Sequence, residues 1–238
     1  MNIEIYSLCH QEAKIIPYYM RHYNQYGKVF LYEGHSTDGS AELAESLGAT
    51  IIPLDTENQV RDDIFTDVKN NCWKDSKADW VIVCDMDEFV YHPDLENYLK
   101  TIDYLEKPTT IIVPTTFEMI ADFFPTTEGQ IYDEVKFGFQ IRSKFFMFKP
   151  KSLYKMNYGA GSHDAQPEGS VYINRDSEVK CMHFRHLSID HVVERNAYLY
   201  SRLSDENKRM GWGWHVGLSR EKVEAYFNEN RHKLISVI

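Results

Sequence analysis

The 238-residue sequence has no long hydrophobic run: none approaches the roughly 18 consecutive apolar residues of a membrane span. Its start, Met1-Asn2-Ile3-Glu4, lacks the basic opening and apolar core of a signal peptide. Cysteine is scarce. Cys9, Cys72, Cys84 and Cys181 form no C-x-x-C pair, and three of them lie in apolar segments, as buried reduced thiols do. A cytoplasmic, reducing location is therefore expected, with no transmembrane segment. Attachment to a membrane surface through a partner or a lipid-linked substrate is compatible with this reading. Positive charge is also short: 26 Lys and Arg against 36 Asp and Glu give a net charge of -10. That balance argues against general nucleic-acid binding, which needs a basic patch to displace counterions. It leaves room for one phosphorylated small molecule held by a metal ion. There is no G-x-x-x-x-G-K-[ST], no G-x-G-x-x-G after the first strand and no G-x-S-x-G. These absences argue against a P-loop NTPase, a dinucleotide oxidoreductase and a hydrolase with a nucleophile elbow. Repeats, low-complexity tracts and Gly/Ser/Pro-rich linkers are missing too, so a single domain over residues 1–238 is expected.

What the chain does contain is centred on Trp80-Val81-Ile82-Val83-Cys84-Asp85-Met86-Asp87-Glu88. The apolar run has the length and composition of a strand buried on both faces. It stops at three carboxylates, which a buried strand does not tolerate unpaired, so they belong at the strand's carboxyl end. In open α/β sheets ligands bind at that edge. Side chains alternate along an extended segment, so Asp85 and Asp87 face one side. Two converging carboxylates repel each other unless a divalent cation lies between them, and Mn2+ or Mg2+ suits such oxygen donors. The competing reading is an acidic loop with a helix N-cap at Asp87.

The order of elements predicts the fold. Strands are expected at residues 3–8, 28–32, 49–54 and 80–84, with helices at 11–26, 41–47 and 62–75 between them. This alternation implies an α/β fold with a mostly parallel central sheet flanked by helices, residues 1–92 forming a nucleotide-binding half. Residues 93–238 are less regular and read as the acceptor-binding half. Helices are expected at 93–105, 190–204 and 220–233, strands at 109–114, 145–148, 170–173 and 179–184, and a loop or lid at 118–133. The aromatic content of 14%, with 16 Tyr and 13 Phe, supplies flat faces that serve cores and also floor sugar and base sites. The histidines of Cys181-x-His183-x-x-His186-x(4)-His191 match no standard zinc spacing and bring only one thiolate. His183, at the end of an expected strand, is instead a candidate third ligand for the cation held by the aspartates. His163, in a polar loop with Asp164, is placed near the donor or the metal.

The chain resembles a glycosyltransferase of the GT-A fold, in the family-2-like group of bacterial and viral surface-glycan enzymes. The likeness runs over nearly the whole chain. It rests on Gln11-Glu12-Ala13 with Pro17-Tyr18-Tyr19, Ser36-Thr37-Asp38-Gly39-Ser40, Lys69-Asn70 with Trp73-Lys74, and Asp85-Met86-Asp87-Glu88-Phe89. Further on come Gly161-Ser162-His163, His183-Phe184-Arg185, Arg202-Leu203-Ser204 and Gly211-Trp212-Gly213-Trp214-His215. The resemblance implies that Ser7 and Glu33 border the base and ribose, the family more often having Asp where this chain has Glu33. It further implies that Asp85 meets the ribose or a metal-bound water and that Asp87 ligates the cation bridging the donor diphosphate. Lys69 and Lys144 would balance phosphate charge. Separately, loop shape sets substrate selectivity, with Trp212, Trp214 and His215 stacking on or closing over the site; the competing reading for the tryptophans is packing against the last helices.

The activity implied is transfer of a sugar from a UDP- or GDP-sugar to a glycan or lipid-linked acceptor, with inversion at the anomeric carbon. Inversion needs a base on the acceptor side, and Glu118 and Asp122, beside several aromatics, are the candidates, with Asp164 behind them. Two rival readings compete with this one. A sugar-nucleotide pyrophosphorylase would want a glycine-rich basic loop after the first strand, which Ser7-Leu8-Cys9-His10-Gln11-Glu12 is not. A non-catalytic glycan- or nucleotide-binding protein of the same fold would not need intact Asp85 and Asp87.

Overall fold

The computed structural model describes residues 1–103, 109–175 and 178–238. Its first half comprises strand β1 (Ile3–Cys9), helix α1 (Ile16–Tyr23), β2 (Lys28–Glu33), α2 (Ser40–Ser46), β3 (Thr50–Pro53), α3 (Asp62–Asn71) and β4 (Trp80–Val83). Then follow β5 (Glu88–Tyr91), α4 (Leu95–Asp103), β6 (Ile111–Ile112), β7 (Thr115–Ala121), α5 (Ile131–Glu134), β8 (Phe137–Ile141) and β9 (Met147–Phe148). The remainder is β10 (Leu153–Lys155), β11 (Glu168–Gly169), β12 (Ile173–Asn174), β13 (Lys180–Leu187), α6 (Ile189–Ser201), α7 (Asp205–Met210), α8 (Arg220–Asn230) and β14 (Ile235–Ser236).

Seven strands form one sheet in the order β12-β6-β9-β4-β1-β2-β3. β1 is parallel to β2 and β4, β2 is parallel to β3, and β9 runs antiparallel between β4 and β6. All four residues of β4 are buried, as its unbroken apolar run requires. The architecture is the expected one, α/β with a mostly parallel central sheet flanked by helices. A second sheet, β14-β8-β7-β13-β5, joins at the acidic segment: β4 ends in the first sheet, and β5 begins in the second immediately after Asp87. The turn carrying Asp85 and Asp87 is thus the passage from one sheet to the other. An apolar cluster containing Ile5, Leu31, Ile82, Phe89, Met119 and Met182 fills the space behind both.

Several expected bounds shift for local reasons. The first helix begins at Ile16, not at residue 11, because Pro17 sits in its first turn and Gln11 adopts φ +55. The segment 11–15 instead packs on the loop after β2, where Gln11 N–H donates to Ser36 Oγ at 2.9 Å and Glu12 N–H to Ser40 Oγ at 2.7 Å. The third helix stops at Asn71 rather than residue 75. The expected loop at 118–133 is corrected at its start: Phe117, Met119, Ile120 and Ala121 are buried, and β7 runs to Ala121 between β13 and β8. The helix expected at 190–204 is broken after Ser201, and Ser204 caps a separate helix, its Oγ accepting from Asn207 N–H at 3.1 Å. The strand expected at 109–114 is confined to Ile111–Ile112. Residues 104 and 105 of the helix expected at 93–105 lie outside the described residues. No helix among the described residues is long and apolar enough to cross a membrane.

Candidate functional site

The two sheets meet at a cleft of about 570 Å³. One reach of it lies at the carboxyl ends of β2 and β3 and against α3, where Tyr32, Leu54, Val60 and Phe65 give it an apolar lining. The other reach is polar and takes Asp85, Asp87, Glu118, Lys144, His163 and His183 from the residues expected at the site. Trp214 lies on its rim, 70% exposed.

Asp85 is gripped by two lysines. Lys69 Nζ lies 2.5 Å from Oδ1, and Lys144 Nζ lies 3.2 Å from Oδ2. Lys144 also pairs with Glu88 at 2.7 Å, and the Asp85 backbone N–H donates to Glu88 at 2.9 Å. Burial alone would raise the Asp85 carboxyl, but Lys69 and Lys144 outweigh it and hold the group well below the usual carboxylate range. The same burial would depress Lys144, and Glu88 and Asp85 overcome it, so its ammonium is held above its ordinary value. Both lysines expected to balance phosphate charge therefore already face a carboxylate of the chain.

Asp87 belongs to the second sheet's edge. Its backbone carbonyl accepts from Phe184 N–H at 2.7 Å, and its Oδ1 lies 3.6 Å from His183 Nε2. The sheet register explains the meeting of groups distant in sequence: His183 stands opposite Glu88 on one side and Glu118 on the other. Directly opposed residues send their side chains to one face. His183 Nδ1 lies 2.8 Å from Glu118 Oε2, and His186 Nδ1 lies 2.8 Å from Glu118 Oε1. Three residues apart on a regular strand, the two histidines would point to opposite faces. A register shift between His183 and His186 against β7 inserts the extra residue that brings both onto Glu118. His186 is then stacked on Tyr226, with ring centroids 4.4 Å apart.

Burial would raise the Glu118 carboxyl, yet His183 and His186 hold it down to about 2. As an ionised carboxylate it only accepts, so both Nδ1 atoms must carry the proton. Burial would lower His183, while Glu118 and then Asp87 raise it well above an ordinary imidazole. For Asp87, burial is opposed by His183 and, farther off, Arg195 and Arg185, which leave it far below its usual value. His163 and His215 are driven the other way, each down to about 4 by burial, with Lys144 repelling the first and Arg185 the second.

The remaining expected residues sit elsewhere. Ser7 is buried with its hydroxyl 3.5 Å from the Leu8 carbonyl, and Glu33 turns back to accept from His35 N–H at 3.0 Å and Ser36 N–H at 2.6 Å. Asp122 forms an exposed ion pair with Arg231 at 2.6 Å. Trp212 is half-buried, and neither it nor Ser7, Glu33, Lys69 or Asp122 is among the residues lining the cleft. Sequence reasoning passed over Arg195, whose guanidinium spans the cleft wall to Glu12 at 2.7 Å, and Arg185, which donates to Asn196 Oδ1 at 3.3 Å. Burial lowers Arg185, whereas Glu12 raises Arg195 against burial.

Among the described residues no group of three or more His, Cys, Asp or Glu is gathered as a cage for a metal. Two donors do converge. Asp87 and His183 Nε2 face each other across 3.6 Å, and Glu118 fixes the far nitrogen of His183, the outer-shell pattern of a metal-binding imidazole. A pair of protein donors fits Mn2+ or Mg2+, which take their other positions from phosphate oxygens and water.

No family pattern and no curated protein matches the sequence. Solved structures do. A glucosyl-3-phosphoglycerate synthase from Mycobacterium tuberculosis, in complex with Mn2+, UDP and glucosyl-3-phosphoglycerate, is 13% identical, covering 48% of this chain and 44% of that one, with a TM-score of 0.35. Mannosyl-3-phosphoglycerate synthase from Rubrobacter xylanophilus is 12% identical over 63% of this chain and 54% of that one, at 0.38. S. aureus TarS is 12% identical over 98% of this chain and 43% of that one, at 0.48. The chain spans about half the length of these proteins or less.

Proposed function

We propose that this chain is a metal-dependent glycosyltransferase of the GT-A type. It would move a sugar from a nucleoside-diphosphate donor to a hydroxyl of a glycan or lipid-linked acceptor, with inversion. The observation that carries the reading is the pairing of Asp87 with His183 Nε2 at 3.6 Å, at the junction of two sheets and in the wall of one cleft. The apolar reach by Tyr32 and Phe65 suits a base, and the polar reach suits a diphosphate and a sugar.

In the reaction the bond from the anomeric carbon to the diphosphate oxygen breaks, and its electrons leave with the nucleoside diphosphate. The acceptor oxygen bonds to the opposite face of that carbon and gives up its proton. Asp87 and His183 would hold the divalent ion, Mn2+ or Mg2+, which when bound supplies positive charge to the departing diphosphate. Asp85, fixed from both sides by Lys69 and Lys144, is oriented for the ribose or a metal-bound water. Glu118 has both oxygens engaged and acts as a positioning residue. With Nδ1 donating to Glu118, His186 keeps Nε2 as a proton acceptor, and we assign it the acceptor's proton. His163 and Trp214 border the sugar side.

The test is thermal stabilisation by UDP and GDP, each with and without Mn2+. A transferase responds to at least one nucleotide only when the metal is present, and Asp87→Ala abolishes that response. A glycan-only binder ignores both nucleotides. A shift that persists unchanged in Asp87→Ala with manganese present sinks the assignment.

A further inference from the structure

The positive side chains lining the cleft are not equally engaged. Lys144 is held by Asp85 and Glu88, Arg195 by Glu12, and Arg142 by Asp164. Arg202 donates to the Asn58 carbonyl at 2.9 Å and lies over the Tyr198 ring. Arg185 differs. Among the described residues it makes no ion pair, and its one hydrogen bond runs from Nη2 to Asn196 Oδ1 at a long 3.3 Å. A guanidinium offers five N–H donors, and one set into a wall is normally matched by a carboxylate or several acceptors. The nearby carboxylates are committed elsewhere: Glu118 gives both oxygens to His183 and His186, and Asp87 faces His183.

The way the residue is presented points in the same direction. Arg185 lies inside the register shift between His183 and His186, and such bulges re-aim a side chain beside a site. Asn196, 5% exposed on α6, steadies one arm of the guanidinium. A planar, pre-oriented fork with free donors matches a phosphate or carboxylate better than it matches water.

We infer that Arg185, steadied by Asn196, is a built seat for a substrate oxyanion, a phosphate or a carboxylate, in the polar reach of the cleft. The seat needs no metal, so it stands or falls separately from the assignment of Asp87 and His183. Two sources present this chemistry: the donor's diphosphate, or an acidic group on the acceptor.

The experiment measures binding of inorganic phosphate and pyrophosphate to the full chain by calorimetry, with EDTA present to exclude metal. Saturable binding is expected for the wild type. Arg185→Gln should weaken it roughly tenfold or more, the scale of a charge-assisted bidentate contact. Arg185→Lys keeps the charge without the fork and should fall between the two. Arg209→Gln, a surface arginine paired with Glu206, should leave the affinity unchanged. In a second titration with Mn2+ in place of EDTA, phosphate affinity lost when the chain is saturated with UDP assigns the seat to the donor, and phosphate affinity unchanged by UDP assigns it to an acidic acceptor. Absence of saturable binding by the wild type overturns the inference, as does equal binding by wild type and Arg185→Gln. Should Arg185→Gln not fold, full pyrophosphate affinity in Arg185→Lys with a lowered unfolding midpoint would mark Arg185 as a structural counter-ion to Asp87 and Glu118 and overturn it likewise.

Discussion

Replacing Glu118 by glutamine tests whether it positions His183 or takes a proton itself. The residue is 4% exposed, and its two side-chain oxygens accept from His183 Nδ1 and His186 Nδ1, each at 2.8 Å. A glutamine amide keeps one acceptor and turns a donor toward the other imidazole, so that ring must change tautomer or swing away. Hydrogen bonds to a charged partner contribute roughly 1.5 to 3 kcal/mol each, so losing the charge and one bond should cost about 2 to 3 kcal/mol. In a protein of this size that lowers the unfolding midpoint by roughly 4 to 12 °C. The sharper effect is on the ion. Loss of an outer-shell carboxylate behind a ligating histidine costs about 10- to 100-fold in metal affinity. Calorimetric or spin-resonance titration of Mn2+ in the presence of nucleotide reads this directly. If Glu118 instead received the acceptor's proton, Glu118→Gln would bind Mn2+ normally and lose only kcat at saturating metal. Unchanged metal affinity with an unchanged midpoint would refute both the geometry and the role drawn from it.

Two further outcomes follow from the same charge arrangement and from the core. Lys144→Met strands Glu88, 1% exposed, opposite an apolar side chain, and breaking a buried pair in this way costs about 3 to 5 kcal/mol. Denaturant unfolding that moves by less than about 1 kcal/mol would contradict the pairing. His22 is wholly buried, its Nε2 2.9 Å from the Val90 carbonyl, and burial lowers it from 6.5 to about 4. The folded state then binds fewer protons than the unfolded state between those values, so stability present above pH 6.5 is lost as the pH falls towards about 4. At 1.36 kcal/mol per unit the loss is roughly 3 kcal/mol. Stability measured against pH for His22→Gln should be flatter over that window, and parallel curves would show that the buried imidazole is not responsible.

The first four strands could be read from the sequence because each is an apolar run whose burial is local information. The turn at Asp85 and Asp87 was legible for the converse reason, since carboxylates cannot continue a buried strand. Glu118 illustrates the limit. It lies in the middle of β7, where an isolated charge would argue against a strand, and the sequence around it suggested a loop. What makes the position tolerable is two imidazoles 65 and 68 residues later, brought opposite it by pairing with β13. His186 was hidden by the same bulge, because a spacing of three predicts opposite faces unless one residue is extra. Arg195 was hidden because its partner, Glu12, lies 183 residues away.

The arrangement of charge in the cleft bears on how an acidic protein would receive the proposed anion there. The chain carries a net charge of -10, yet the carboxylates of the cleft are engaged from within by Lys69, Lys144 and Arg195 and by hydrogen bonds from the His183 and His186 rings. Apart from Lys69 and Asp85, which are 16 residues apart, these contacts join elements distant in the sequence, so the full arrangement exists only once both sheets have formed. Engaging these acids while leaving the Arg185 guanidinium with a single long hydrogen bond leaves N–H donors in the polar reach that no carboxylate of the described residues takes up. A ligand's negative charge would therefore enter without competing for a cation that already stabilises the fold. That separation of structural from available charge is why Lys144→Met should act on stability and Arg185→Gln on anion affinity, although both remove one positive charge from the same cleft.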